Sequence, residues 1–440
     1  MPDPICRIIR CASDADTASL IAWLDKRATA GGMDARATED KVRAILDEVR
    51  LNGAAALLRY TRQFDCPAFA EAMLAVPKNA LRKAVKSIPP EDAAVIREAA
   101  RRIRAFHEAQ QENSWFRTDP DGAILGQMVT PVERAGLYVP GGKAGETPLI
   151  SSLLMNAVPA RIAGVKEIAV ISPPRADGTL NPHILAAAHI LGITEVYAAG
   201  SAWGIAALAY GAGPIKAVDI IAGPGNIWVT TAKRLLLGHV GIDTLAGPSE
   251  ICIIAGKNSN PAWIAADMLS QAEHDVLACA VCITLDTALA KQIQAELARQ
   301  TAALPRAATA QRSLADWGAI VRVPDMRRAV ALANAMAPEH LELCLDDPWA
   351  ILPRIRNAGA VFMGGHAAEP VGDYFAGPNH VLPTMGTARF ASALSVQTFC
   401  KKISVLSVSA AFTAKHGAAV ARLARLEGLE AHARSIEARL

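Results

Sequence analysis

The sequence predicts an α/β protein with two open parallel-sheet domains, each incomplete Rossmann-like, and small helical N- and C-terminal segments. Three observations predict this. At 440 residues the chain exceeds what one hydrophobic core usually serves, so two or more domains are expected. Its 52% hydrophobic, 20% charged and 5% aromatic content suits a large core of small and branched aliphatic residues and argues against disorder. From Gly136 onward, short apolar runs alternate with helical stretches, the pattern of βαβ units with right-handed crossovers.

Taken in order, roughly the first 130 residues read as helical: Thr17–Ala28, then Thr38–Arg62 with Val42, Ile45, Leu46 and Val49 at helical spacing, then Pro90–Gln111 behind Glu91 and Asp92. Strands are expected at Glu167–Ser172, Glu195–Ala198 and Ala217–Ala222, with helices at Pro182–Leu191, Ala202–Tyr210 and Asn226–Leu237. A second series has strands Glu250–Ala255, Ala280–Leu285, Ala319–Val323 and Ala360–Met363. Its helices are Pro261–His274, Thr287–Gln300, Met326–Ala337 and Pro348–Arg356. The two series join through Gly/Pro-rich segments near Tyr138–Gly145 and Gly247–Ser249, and a helical tail begins near Ser407. The expected division is an N-terminal helical segment 1–32, a first α/β domain 33–137 plus 249–392, a second 138–248, and a C-terminal helical tail 393–440.

A net charge of +3 gives no electrostatic reason to expect nucleic acid. The cluster Arg101, Arg102, Arg104 reads as a solvated helix face. No signal peptide opens the chain and no window is apolar enough for a membrane helix, so a cytoplasmic enzyme is expected. Eight cysteines are too sparse for a disulfide framework. Cys279 and Cys282 form a CxxC, but on a buried strand residues three apart face opposite ways and cannot share a metal, so they read as core.

Three constellations carry chemistry. Gln271 and His274 lie three apart at a helix C-terminus, on one face, where an amide oxygen and an imidazole nitrogen can reach one ion. Alone, such a His is equally a partner for the helix dipole. Glu339-His340 sets a carboxylate beside an imidazole, suited to two proton transfers, or else is a surface Glu next to a core His. Asp373, Tyr374, Asn379 and His380 share a Gly/Pro-punctuated loop just past a strand's C-terminal end, where open sheets bind ligands, and Asp373 offers a hard oxygen. The donor set fits zinc, with Mn or Fe also compatible. Tyr138-Val139-Pro140-Gly141-Gly142 and Ala222-Gly223-Pro224-Gly225-Asn226 suit close backbone approach by a ligand or serve as plain turns. Neither is a dinucleotide fingerprint or a Walker loop.

In order along the chain, Tyr138–Gly142, Leu153–Ala160, Gly223–Asn226, Ala246–Glu250, Ser270–His274, Pro338–Leu341, Gly372–Tyr374, Asn379–Thr384 and Glu427–Ala433 resemble the histidinol dehydrogenase family over nearly the whole chain. The resemblance implies oxidation of L-histidinol to L-histidine through histidinaldehyde, the last step of histidine biosynthesis, with NAD as cosubstrate. It also implies one Zn2+ per subunit on Gln271, His274, Asp373 and His432, the last donated by the partner of a homodimer with shared active sites. It makes His340 the base for the alcohol and Glu339 the activator of water. Ser249, Glu427 and, less directly, His380 become substrate contacts, alongside the metal ligands and His340. Tyr138 and Asn226 become NAD contacts. Trp203 departs from the family, many of whose members carry a Gln there that contacts NAD; an indole has no acceptor, so its role there is stacking or walling. The alternatives are a zinc dehydrogenase of the same scaffold acting on another polar alcohol, such as a sulfonated diol, and, from another class, a zinc hydrolase using Glu339.

Overall fold

Residues 5–27, 35–142 and 145–440 are described by the structure, a computed structural model. The expected end of the first helix at Ala28 lies outside them. Two all-parallel sheets organise the chain. The six-stranded sheet has the order β1 (Arg7–Arg10), β11 (Ala319–Arg322), β10 (Cys279–Thr284), β9 (Glu250–Ala255), β12 (His340–Cys344), β13 (Ala360–Met363). The five-stranded sheet runs β6 (Glu195–Ala198), β5 (Glu167–Ser172), β4 (Arg134–Tyr138), β7 (Ile220–Ala222), β8 (Gly241–Ile242). The strand order switches direction between β4 and β7 in the five-stranded sheet and between β9 and β12 in the six-stranded sheet, where β1 is added at the edge beside β11.

Every expected strand is present within a few residues, because buried parallel strands read as continuous apolar runs. Helix starts were legible from their caps. Asn260 accepts from the Ala262 N–H (2.9 Å) ahead of Pro261 in the first turn, and Asn181 does the same for His183 (2.9 Å) ahead of Pro182. Cys279 and Cys282 pack in cores on opposite faces of the six-stranded sheet, as the spacing implied.

Four expectations are corrected. The stretch 38–62 is two helices, Ala35–Asn52 and Ala54–Phe64, interrupted at Gly53 (φ 51). Pro348–Arg356 is a turn with a short 3-10 segment, Leu352–Arg354, since Pro353 cannot donate to a helix ladder. The N-terminal third is not all helical. β1 joins the six-stranded sheet, and β2 (Trp115–Thr118) and β3 (Ile124–Pro131) form an antiparallel ribbon with β14 (Cys400–Ser407). That ribbon is little buried on either face, so it carries no clean alternation for the sequence to reveal. Finally, helices within 35–108 do not pack with the 249–392 sheet. Val42, Leu57, Leu81 and Ile103 share one core with the five-stranded sheet. Chain order could not show which of two sheets a preceding helix covers.

One packing detail positions the loop of the third constellation. Pro159 lies inside helix Ile150–Ala163 and has no N–H for the Met155 carbonyl. The buried Asn379 amide donates to that carbonyl (2.6 Å), while its oxygen accepts from the Val381 N–H (2.9 Å).

Candidate active site

His340 is the first residue of β12, and Glu339 precedes it; both are buried. The backbone of Glu250, at the start of neighbouring β9, orders the pair. Its N–H donates to Glu339 Oε2 (2.9 Å), and its carbonyl accepts from His340 Nδ1 (3.0 Å). A proton on Nδ1 leaves Nε2 as the working nitrogen. That atom is buried, has no hydrogen-bond partner, and lies 3.7 Å from Asp373 Oδ1.

Asp373 sits in a single π-helical turn, Gly372–Ala376, a widened turn often found at functional sites. Its carbonyl accepts from His380 Nδ1 (3.0 Å). Gln271 closes the C-terminal turn of helix Pro261–Ala272, and His274 follows two residues past its end, with its N–H on the Gln271 carbonyl (3.2 Å). Between these groups stands Glu369, buried, accepting from Ser270 Oγ (3.0 Å). With the Gln271 amide oriented to satisfy its neighbours, its nitrogen donates to both Glu369 oxygens (2.8 and 3.1 Å), turning its own oxygen away from that carboxylate. Donor atoms of His340, Glu369 and Asp373 all lie within 4.8 Å of one another.

The electrostatics follow from crowding acids and imidazoles in a dry place. Burial pushes the Glu339 carboxyl up to about 8, against the pull of His340 and the Glu250 N–H. For His340 burial acts downward, but Glu339, then Asp373 and Glu369, outweigh it and raise the imidazole to about 10. Burial also acts against ionisation of Asp373, yet His340 above all holds that carboxyl below its ordinary value. Glu369 is raised by burial and His380 lowered by it. Carboxylate oxygens of Asp373 and Glu369 close to His340, with the Gln271 amide on Glu369, make a buried mixed N/O set that suits a divalent ion.

A crevice of about 560 Å³ links this cluster to the five-stranded sheet. Its walls include Tyr138 and Gly141 at the C-terminal end of β4, Gly225 and Asn226 after β7, and Ser249, His274, Glu339, His340, Glu369, Asp373 and His380. Both switch points therefore face it, but from opposite strand ends: carboxyl ends of β4 and β7, amino ends of β9 and β12. This corrects the expectation for the third constellation. Its loop leaves the carboxyl end of β13 and returns to meet His340 at the other end. The turn after β7 is tightly built. A Cβ on Gly223 (φ 122) would stand 2.1 Å from the Tyr138 carbonyl. The Gly223 N–H donates to Asp243 (2.8 Å), and buried Lys233 binds both Asp243 and the Gly223 carbonyl. Asn226 caps the next helix through its oxygen, on the Trp228 and Val229 N–H groups (3.1 and 3.3 Å).

The histidinol dehydrogenase family model matches residues 29–440. Histidinol dehydrogenases of Nitratidesulfovibrio vulgaris and Oleidesulfovibrio alaskensis are each 60% identical to this chain, over 99% of it and 99% of theirs. The crystal structure of histidinol dehydrogenase from Elizabethkingia anophelis, 32% identical, superposes with a TM-score of 0.93 over 100% of this chain and 99% of that one. The chain belongs to the histidinol dehydrogenase family. It is thereby an NAD-dependent oxidoreductase, and the alternatives of a sulfonated-diol dehydrogenase or a zinc hydrolase find no counterpart in these relatives.

Within this family member, one chain brings together Ser249, Gln271, His274, Glu339, His340, Asp373 and His380, with Tyr138 and Asn226 across the crevice. Four expected residues are not among the crevice walls; one of them, Gln271, is fully buried and meets the site through its contact with Glu369. Trp203 is in the core, 5% exposed, its ring stacked on Tyr60 and Phe64 at centroid distances of 5.8 and 5.4 Å. Helix Ser201–Tyr210 is apolar all round and mostly buried; its first residue meets the crevice, and the third turns beneath it. Glu427 and His432 are exposed on the C-terminal helical hairpin. Two acidic wall residues carried no assignment from the sequence, Glu369 and Asp65. Glu369 had a faint signal, an acid four residues before Asp373 and so one helical turn away; Asp65 had none.

Proposed function

We propose that the chain oxidises L-histidinol to L-histidine through histidinaldehyde, passing two hydrides to two NAD and consuming one water, as the last step of histidine biosynthesis in the cytoplasm. The observation that carries this is the pairing of two buried proton-transfer groups, Glu339 and His340, beside a metal-suited cluster on the wall of the crevice between the two sheets. A two-stage oxidation needs two such groups. All eight cysteines are free, in keeping with a reducing compartment.

Gln271, His274 and Asp373 would hold Zn2+, with His432 of a second copy completing the set. The ion would fix the substrate's imidazole and amine and add positive charge beside His340, weakening that imidazole's hold on a proton. His340 Nε2 takes the hydroxyl proton while hydride leaves for NAD, with Nδ1–H anchored on the Glu250 carbonyl. Glu339 then takes a proton from water as it adds to the aldehyde, and the hydrate gives up the second hydride. Glu369 positions Gln271 by fixing which end of its amide faces outward. Ser249, His380 and Glu427 contact the substrate; Tyr138 and Asn226 contact NAD, Asn226 with the amide nitrogen that its cap leaves unused.

A homodimer with shared sites has support in exposed apolar surface. Leu406 on the ribbon and Leu423 and Leu426 on the C-terminal hairpin are 60–73% exposed in one chain. Large apolar side chains exposed to this extent are often covered by association. Zinc-loaded protein with L-histidinol should yield two NADH per substrate consumed, and a chelator should abolish turnover. One NADH per substrate, or turnover only with another alcohol, would remove the substrate assignment.

A further inference from the structure

Asp65 follows the last turn of helix Ala54–Phe64 and forms part of the crevice wall with Tyr138 and Ser201. Its Oδ2 is buried and has no hydrogen-bond partner. No cation among the described residues offsets it, and burial alone pushes its carboxyl up to about 7. Buried polar groups are ordinarily satisfied, and an orphan carboxylate on a cavity wall calls for a donor that the chain itself does not provide.

The helices beginning at Ser201 and Ile227 both open onto this crevice beside Pro173, Gly141 and Gly225, where backbone N–H groups favour a pyrophosphate. Hydride must be exchanged at the His340 end, on the six-stranded sheet, so the nicotinamide lies there. Asp65 belongs to the other flank, since its helix packs on helix Ser201–Tyr210 of the five-stranded sheet. The half of the dinucleotide reaching that flank is adenosine. Given the NAD dependence stated above, we propose that Asp65 accepts the hydroxyls of the adenosine ribose and so selects NAD over NADP. A carboxylate takes two hydroxyl donors well, and with no cation among the described residues to offset it, it repels a 2′-phosphate.

The test uses the full-length, zinc-loaded enzyme with L-histidinol and three dinucleotides: NAD, its analogue lacking the adenosine 2′-hydroxyl, and NADP. Wild type should favour NAD over the deoxy analogue by about tenfold in kcat/KM, the scale of a hydrogen bond to a charged group. In Asp65→Ala the KM for NAD should rise about tenfold while kcat stays within about twofold and the KM for histidinol holds. The preference over the deoxy analogue should vanish, and the gap between NAD and NADP should narrow. Asp65→Asn, which keeps the shape, should lose most of the discrimination against NADP. The metal- and ligand-free melting temperature should not fall in either variant at pH 8, because the replaced carboxylate is unpaired. An unchanged KM for NAD overturns the proposal. So does an equal loss for NAD and the deoxy analogue, or a lower melting temperature with that equal loss, since the carboxylate would then serve the fold. Wild-type turnover of NAD is the control: its absence would strike at the assigned reaction, while its presence with an insensitive Asp65→Ala strikes only at this inference.

Discussion

At the scale of single residues, the centre of the molecule is one imidazole ordered by a neighbouring backbone. Glu250 holds Glu339 through its N–H and His340 through its carbonyl, so the two proton carriers are fixed relative to each other by one peptide of β9. Their separate tasks predict separable losses. His340→Ala should slow the first NADH formed from histidinol by about 10²–10⁴-fold, the usual worth of a general base. Glu339→Gln should leave the first hydride transfer largely intact and slow the second, so rapid mixing should show one NADH per site followed by a slow phase. If both variants slow the first step alike, the division of labour fails. A pH prediction belongs to the same atoms. Without metal, His340 is raised to about 10 by Glu339, Asp373 and Glu369, so its charged form is present below its unfolded value and is lost as pH rises through about 10. Loading a divalent ion onto Asp373 neutralises one of those anions and adds positive charge, so the His340 titration should move down. NMR of a ring-labelled His340 with and without zinc measures the direction; an upward shift would contradict it. How much of this was legible in the sequence differs by residue. Glu339 and His340 were visible because they adjoin. Glu369 was largely hidden because its importance lies in touching Gln271 and His340 from other elements.

At the scale of elements, two buried polar braces aim the crevice walls. The Lys233–Asp243 pair clamps the Gly223 turn from both its N–H and carbonyl, which places Gly225 and Asn226 for the nucleotide. Lys233→Met leaves a buried, uncompensated Asp243 and should cost about 3–5 kcal/mol of stability. It should also raise the KM for NAD more than that for histidinol; denaturant melts and steady-state kinetics check the two parts. The second brace is Asn379, which satisfies the carbonyl that Pro159 abandons. Asn379→Ala strips donors and acceptors from a buried site and should cost about 1–3 kcal/mol. Pro159→Ala in the same background should restore part of that stability by returning a helical N–H to Met155. Strands and capped helices were readable locally, since apolar runs and Asn-Pro starts are local signals. The antiparallel ribbon was not, because its pairing of residues near 125 with residues near 406 is non-local and half-solvated.

At the scale of the whole molecule, the site is divided between two sheets in this chain and, in the proposed dimer, between two chains. The C-terminal hairpin exposes Glu427 and His432 together with unburied leucines, which fits a tail seated on a partner. His432→Ala and His340→Ala homodimers should both be nearly inactive. Mixed dimers should recover activity at the one site that receives an intact His340 and an intact His432. Refolding or co-expressing the two variants and assaying NADH formation tests this; no recovery in verified heterodimers would remove the shared site.

By itself the sequence determined the α/β class, seven of the eleven strands of the two sheets and the residue types of the centre, since periodicity, caps and adjacent acid–imidazole pairs are local properties of the chain. Only the tertiary structure decided which sheet the N-terminal helices cover, that Trp203 belongs to the core, and that Glu369 and Asp65 reach the crevice. It also decided that the chemistry sits at the amino ends of β9 and β12. Those outcomes depend on which surfaces bury each other across long separations in the chain, and burial between distant segments leaves no pattern in the order of residues.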